Sequence, residues 1–91
     1  MADKVEYSEQ SLIDIHKAKC YFDLFGKGDD FLDDLFRHED LILLMPEIYQ
    51  IKYKKIRIAN LENFKYAIHY MFLNGQIYIY RVYPDGHEFK V

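Results

Sequence analysis

The sequence predicts an α+β domain in which an antiparallel two-helix hairpin packs on an antiparallel sheet, and three observations carry that prediction. Between Ser8 and Met45 apolar residues recur at helical spacing, interrupted only around Gly26 and Gly28. From Ile48 onward the period falls to two. Leu73-Asn74-Gly75-Gln76 then marks a tight hairpin, because a two-residue type I′ turn needs positive φ at both central positions and Asn-Gly tolerates this best.

Ninety-one residues make one domain, spanning 1–91, with a single packed core. Half the residues are apolar and nine are tyrosines, so the core is built partly from aromatics whose hydroxyls need water or a partner. A single cysteine, Cys20, excludes an internal disulfide and supplies no zinc site alone, which fits a reducing compartment. The N-terminal residues are charged, and no apolar run approaches the roughly 18 residues of a membrane span. The reading is a soluble cytoplasmic protein that needs no cofactor and no metal.

Taken in order, Lys4 to Tyr7 alternates as a short N-terminal strand. Ser8 fits a helix N-cap with Glu9 beside the positive end of the dipole, and Leu12, Ile15, Phe22 and Phe25 form the expected inner stripe. Gly26 is placed to stop this helix in the left-handed conformation. Asp29-Asp30 is expected to cap a second helix whose stripe is Phe31, Leu32, Leu35, Phe36, Ile42 and Leu43, ending at Pro46. The short connection makes residues 8–45 a helical hairpin that needs a sheet to cover.

In residues 48–58 the alternation slips phase between Lys54 and Ile56. A bulge at Lys55 repairs it within one strand, turning Ile51, Tyr53, Ile56 and Ile58 toward the helices and Lys52, Lys54 and Arg57 outward. A plain turn at Lys54-Lys55 is the competing explanation. The Asn-Gly turn sets Leu73 opposite Gln76, which puts Tyr66, Ile68, Tyr70 and Phe72 on the core face with Ile77 and Ile79. Ala67, His69 and Met71 then share the open face with Tyr78, Tyr80 and Val82. The sheet ends as a three-stranded meander.

Charge divides unevenly along the chain. Residues 1–45 hold five Lys/Arg against eleven Asp/Glu, and residues 46–91 hold seven against four, so the halves carry −6 and +3. Either the second half meets an acidic partner or nucleic acid, or this is an ordinary mixed surface.

Several segments, in order and spacing, resemble the RelE/ParE superfamily of bacterial toxins. They are Glu6-Tyr7-Ser8 with Asp14-Ile15, Met45-Pro46-Glu47-Ile48-Tyr49, Arg57, Phe64-Lys65-Tyr66-Ala67-Ile68-His69-Tyr70, and Ile77-Tyr78-Ile79 with Val82. The resemblance spans nearly the whole chain and implies the toxin of a type II toxin–antitoxin pair, such as a plasmid-stabilisation module, neutralised by a cognate antitoxin that wraps the helical hairpin and the sheet. It implies either of two growth-inhibiting activities. ParE-like members bind DNA gyrase without being nucleases, and RelE-like members are mRNA interferases that cut messages on the ribosome. Fold alone does not choose between them.

For metal-independent RNA cleavage, cations must offset charge developing on the phosphate and a proton-transfer group must lie near the 2′-oxygen. Lys52, Lys54 and Arg57 are candidate cations, and His69 with Tyr80, paired across the hairpin, are candidate proton-transfer groups. Lysines on an open sheet face equally serve solubility and edge protection, and a lone strand histidine commonly accepts a tyrosine hydrogen bond. The resemblance weakens at Ala67, where RelE-like nucleases carry arginine, and at Pro84 and His87, where many members carry histidine and arginine. Little tail follows from which those nucleases draw a catalytic tyrosine.

The Tyr66 to Tyr70 strand and long hairpin look more like ParE, which favours a binding poison. Its target or phosphate-binding surface is expected to use Lys52, Lys54, Lys55, Arg57, Arg81 and His87, with the segment Tyr83-Pro84-Asp85-Gly86-His87. By the register above Arg81 lies on the core face opposite Ile68, where it either snorkels to the rim or contacts an anion beside Arg57. A third reading is a degenerate, non-toxic module that binds the antitoxin or forms a homodimer.

Overall fold

The computed structural model describes residues 2–84. It contains β1 (Lys4–Tyr7), α1 (Glu9–Asp23), α2 (Gly28–Leu44), β2 (Ile51–Tyr53), β3 (Ile56–Asn60), β4 (Tyr66–Leu73) and β5 (Gln76–Pro84). One five-stranded sheet runs β1-β5-β4-β3-β2. β2 to β5 form an antiparallel meander, while β1 lies parallel to β5, so the sheet is mixed. Among the described residues no helix is long and apolar enough to cross a membrane.

Local chemistry accounts for the helix ends. Ser8 caps α1 by accepting the Ser11 N–H at 2.9 Å, and the Ser11 hydroxyl donates back to the Ser8 carbonyl. At the other end Gly26 takes φ +68°, letting the Lys27 N–H donate to the Phe22 carbonyl at 2.9 Å. Gly28 opens α2 at a close approach, since a Cβ there would lie 3.0 Å from the Lys19 carbonyl. The expected Asp29-Asp30 cap is corrected: α2 begins at Gly28 after Lys27, with no side-chain cap, and the acidic pair lies within the first turn, where it complements the dipole.

The core lies between the helices and one sheet face. Ala18, Phe31, Leu35 and Ile42 pack against Ala59, Ile68, Tyr70, Ile77, Ile79 and Val82. Phe31 sits within a ring cluster, stacked at 5.2 Å on Phe22 and edge-on to Phe64 and Tyr66. The Tyr70 hydroxyl donates to the Pro46 carbonyl at 2.7 Å, and burial pushes its pKa up to about 12. The α1 stripe matches expectation at Ile15 and Phe22 and departs from it at Leu12 and Phe25. Ser11, Ile15, Ala18 and Phe22 face inward, whereas Leu12 and Phe25, and Phe36 on α2, are exposed.

Residues 48–58 are not one bulged strand. Lys54 and Lys55 take φ 42° and 66°, which closes a tight turn between β2 and β3. The faces change accordingly, because Arg57 pairs with Tyr70 and Ala59 with Ile68 on the core side, while Ile58 pairs with His69 on the other. Ile51 is exposed and Ile56 is buried outside the helix-facing core. Left-handed backbone costs an ordinary L residue roughly 1–2 kcal/mol, and Asn-Gly, used at the β4–β5 turn, relieves it. The double substitution Lys54→Asn, Lys55→Gly should therefore raise stability by about 1–2 kcal/mol, read as a higher urea midpoint at unchanged m. An unchanged midpoint would show that this turn carries no strain.

A second irregularity corrects the hairpin register beyond its first four residue pairs. His69 opposes Arg81 but Tyr70 opposes Ile79, leaving Tyr80 as the extra residue of a bulge. Val82 consequently opposes Ile68 in the core, and Arg81 moves to the open side. The expected His69–Tyr80 pair and the core-face placement of Arg81 are both replaced.

Candidate functional site

The open sheet face gathers titratable side chains from three strands. His69 on β4 is 0% exposed, and its Nδ1 lies 3.0 Å from the Tyr53 hydroxyl of β2. Tyr83 packs edge-on to the His69 ring at 5.1 Å, and the Arg81 guanidinium lies 4.4 Å from the Tyr83 ring centroid. Burial raises the Tyr53 pKa, the Tyr80 and Tyr83 phenols add to it, and Arg81 opposes them. Tyr53 was expected against the helices. It faces outward because the Lys54-Lys55 turn gives β2 its own phase.

Arg81 is held from the side by α1. Its Nε donates to Asp14 Oδ2 at 2.7 Å and its NH2 to Asp14 Oδ1 at 3.0 Å, and the Val82 N–H also donates to Asp14 at 3.0 Å. Here β1 no longer covers the β5 edge, because the Ser8 N–H takes the Ile79 carbonyl and the chain then turns into α1. Asp14 thus satisfies an edge N–H that a neighbouring strand would otherwise bind. Burial alone would raise the Asp14 pKa, but the Arg81 hydrogen bond, the Val82 N–H and the Arg81 charge together hold it below the ordinary carboxylate value. The same hydrogen bond raises Arg81 further above its usual range.

Arg57 is similarly committed. Its NH1 donates to the Tyr49 carbonyl at 2.6 Å and its NH2 lies 3.9 Å from Glu47, so it braces the segment after α2 from the core side. The side chains of Lys52, Lys54 and Lys55 are exposed and make no hydrogen bond or ion pair among the described residues. Tyr80 is exposed, with its carbonyl accepting the Ser8 hydroxyl at 2.7 Å. His87 lies outside the described residues, as do Asp85 and Gly86.

The sequence-nominated residues therefore separate into three sets. Lys52, Lys54 and Lys55 project around one turn, His69, Tyr80 and Arg81 surround Tyr53 and Tyr83 on the open face, and Arg57 lies beneath the sheet. Sequence reasoning missed Tyr53, Tyr83 and Asp14 as partners of these residues: Asp14 stood only in the family resemblance, Tyr83 only in the expected target-binding segment, and Tyr53 was signalled by nothing beyond the density of tyrosine. As it stands the cluster has two constraints on chemistry. A fully buried imidazole reaches no incoming hydroxyl, and an arginine bound bidentately to a carboxylate brings little free charge to a phosphate.

A further surface feature is apolar. Leu12, Ile13, Tyr21, Leu24 and Phe25 are exposed along α1 and the link that follows, and Leu44, Met45, Ile48 and Ile51 are exposed between the end of α2 and β2. That is more large apolar surface than scattered single residues require.

Two helices on one face of a five-stranded mixed sheet, in this order, make the RelE/ParE-like α+β fold. A solved chain of "Chromosomal ParDE TA system from P. aeruginosa" matches with a TM-score of 0.78, covering 93% of this chain and 97% of that one at 11% identity. At that identity the likeness concerns the fold. No protein-family model and no curated protein matches the sequence.

Proposed function

We propose that this chain is the toxin of a bacterial type II toxin–antitoxin module, acting in the ParE-like manner by binding a target such as DNA gyrase and neutralised by a cognate antitoxin. The observation that carries this reading is a fold match to a ParDE chain over 93% of this chain, joined to a site in which His69 is buried and Arg81 is already paired with Asp14. A binding poison needs an exposed surface rather than a reactive centre. Lys52, Lys54 and Lys55 supply an exposed cationic turn for an acidic target, kept in backbone conformations that lysine does not favour. The exposed apolar residues of α1 suit an antitoxin segment that folds as it binds.

The test is induced expression without a partner gene. Growth arrest with broken DNA and intact message is expected, and purified protein should inhibit gyrase supercoiling. Replacing Lys52, Lys54 and Lys55 by Glu should weaken that inhibition at least tenfold. Normal growth with abundant soluble protein would remove the toxin reading altogether.

The RelE-like nuclease is the second reading, favoured by the grouping of His69, Tyr53 and Tyr80 on the face flanked by the lysine turn. In that case arrest comes with message cut within codons and with intact DNA.

A further inference from the structure

On the far side of the molecule from β1 in the sheet order, α2 and the β3–β4 connection bring together three side chains that neither the fold nor the open face accounts for. Asp34 and His38 are four residues apart on α2 and so share one helix face. Glu62 reaches the same point from the connection. One carboxylate oxygen from each acid and one ring nitrogen of His38 lie within 4.8 Å of one another.

Asp34 sets this group apart from an ordinary charged surface. Its side chain is 1% exposed, one oxygen accepts the Asn63 N–H at 2.8 Å, and the other, Oδ1, is buried with no hydrogen bond. An ionised carboxylate oxygen in that position carries a desolvation cost that only a cation or a donor offsets. The nearest groups are the His38 Nδ1 at 3.3 Å and the Arg37 NH1 at 3.6 Å, and the same guanidinium nitrogen lies 3.8 Å from Glu62. Both arginine distances exceed a hydrogen bond, and the Arg37 side chain is 58% exposed and able to swing away.

We propose that Asp34, His38 and Glu62 form a binding site for a divalent transition metal of the zinc type. An imidazole nitrogen with two carboxylates is a borderline donor set, suited to zinc rather than to the all-oxygen preference of calcium or magnesium. His38 Nδ1 faces both Asp34 Oδ1 and, at 2.8 Å, the Asp34 backbone carbonyl, so ligation either takes Nδ1 from that carbonyl or turns the ring to present Nε2 while Nδ1–H keeps the carbonyl as its outer partner. Tetrahedral zinc with bonds of about 2.0–2.1 Å needs its donors roughly 3.4 Å apart, so the group must contract. Glu62, 69% exposed, is free to make that movement. Three protein donors leave a fourth position for water, and the bound ion would fasten the β3–β4 connection to α2.

The experiment uses the whole chain, untagged, with Cys20→Ser, because the Cys20 Sγ lies 3.6 Å from His16 on an exposed face and is a competing soft donor. Zinc and cobalt are titrated by calorimetry, by thermal unfolding and by visible absorption of cobalt. One equivalent should bind saturably, raise Tm by about 5 °C or more at saturation, and give the intense cobalt bands of a four-coordinate centre. Glu62→Gln, an exposed change that leaves the fold intact, should weaken binding at least tenfold, as should His38→Gln. Arg37→Ala should tighten it by removing the competing cation. Absence of saturable binding overturns the site, and so does binding that Glu62→Gln leaves unchanged.

Discussion

Replacing Phe31 by alanine should cost about 3–5 kcal/mol and leave the protein largely unfolded at 37 °C. Phe31 is fully buried in the first turns of α2, and its ring meets Phe22 of α1, Phe64 of the β3–β4 connection and Tyr66 of β4 at 5.2–5.5 Å. Three elements thus close on one side chain. A cavity there is walled by rigid rings that cannot collapse into it, which puts the loss toward the upper end of the range. Chemical denaturation followed by far-UV circular dichroism measures it, with Phe36→Ala as the comparison. Phe36 is on the same helix but exposed, so its removal should change stability by less than about 0.5 kcal/mol. Equal losses at the two positions would mean that the ring cluster is not the centre of the fold.

Arg81→Met should lower stability at neutral pH by about 2 kcal/mol, a figure reduced from that of a fully buried pair because the arginine side chain is a quarter exposed. The loss arises chiefly from Asp14, left partly desolvated with the Val82 N–H as its remaining strong donor. The pH dependence gives the sign. Asp14 is held below its ordinary value of 3.8 in the folded protein, so its contribution is present above that value and is lost as pH falls through the folded pKa. The difference between wild type and Arg81→Met should therefore be constant from pH 6 to 8 and shrink below about pH 4. Urea midpoints across that range measure it, and a gap with no pH dependence at all on the acid side would show that Arg81 acts by packing alone.

What could be read from the sequence follows from how far each signal reaches. The Ser8 cap, the Gly26 stop and the Asn74-Gly75 turn depend on backbone chemistry within a few residues, and all three are present. Face assignment depends instead on counting by two along a strand, and a single added residue inverts everything beyond it. Tyr80 is such a residue, and Val82 and Arg81 exchanged sides because of it. The Lys54-Lys55 turn did the same to Arg57 and Ile58.

On helix α1 the inner stripe departs from expectation at Leu12 and Phe25 for a different reason. Apolar residues occupy its outer face as well as its inner one, so spacing alone does not fix the phase, and two small residues, Ser11 and Ala18, take the buried positions. Apolar residues on the outside of a helix suggest a partner, but in one sequence they read as core. The candidate residues fared similarly. Their types were visible, but their commitments to Asp14, Tyr49 and Tyr53 span up to 67 positions and have no local sign.

The parallel pairing of β1 with β5 also orders events in time. β1 finds its neighbour about seventy residues later in the chain, so a ribosome must release nearly the whole sheet before the first strand has anywhere to go. The α1–α2 hairpin is local and can form long before, with its sheet-facing stripe still wet. A nascent chain would therefore pass through a stage that is helical and sticky but has no assembled sheet face. The sheet-facing stripe of the helices is therefore covered only after β5 has emerged, which leaves an interval in which some other binder could take hold of the helices first.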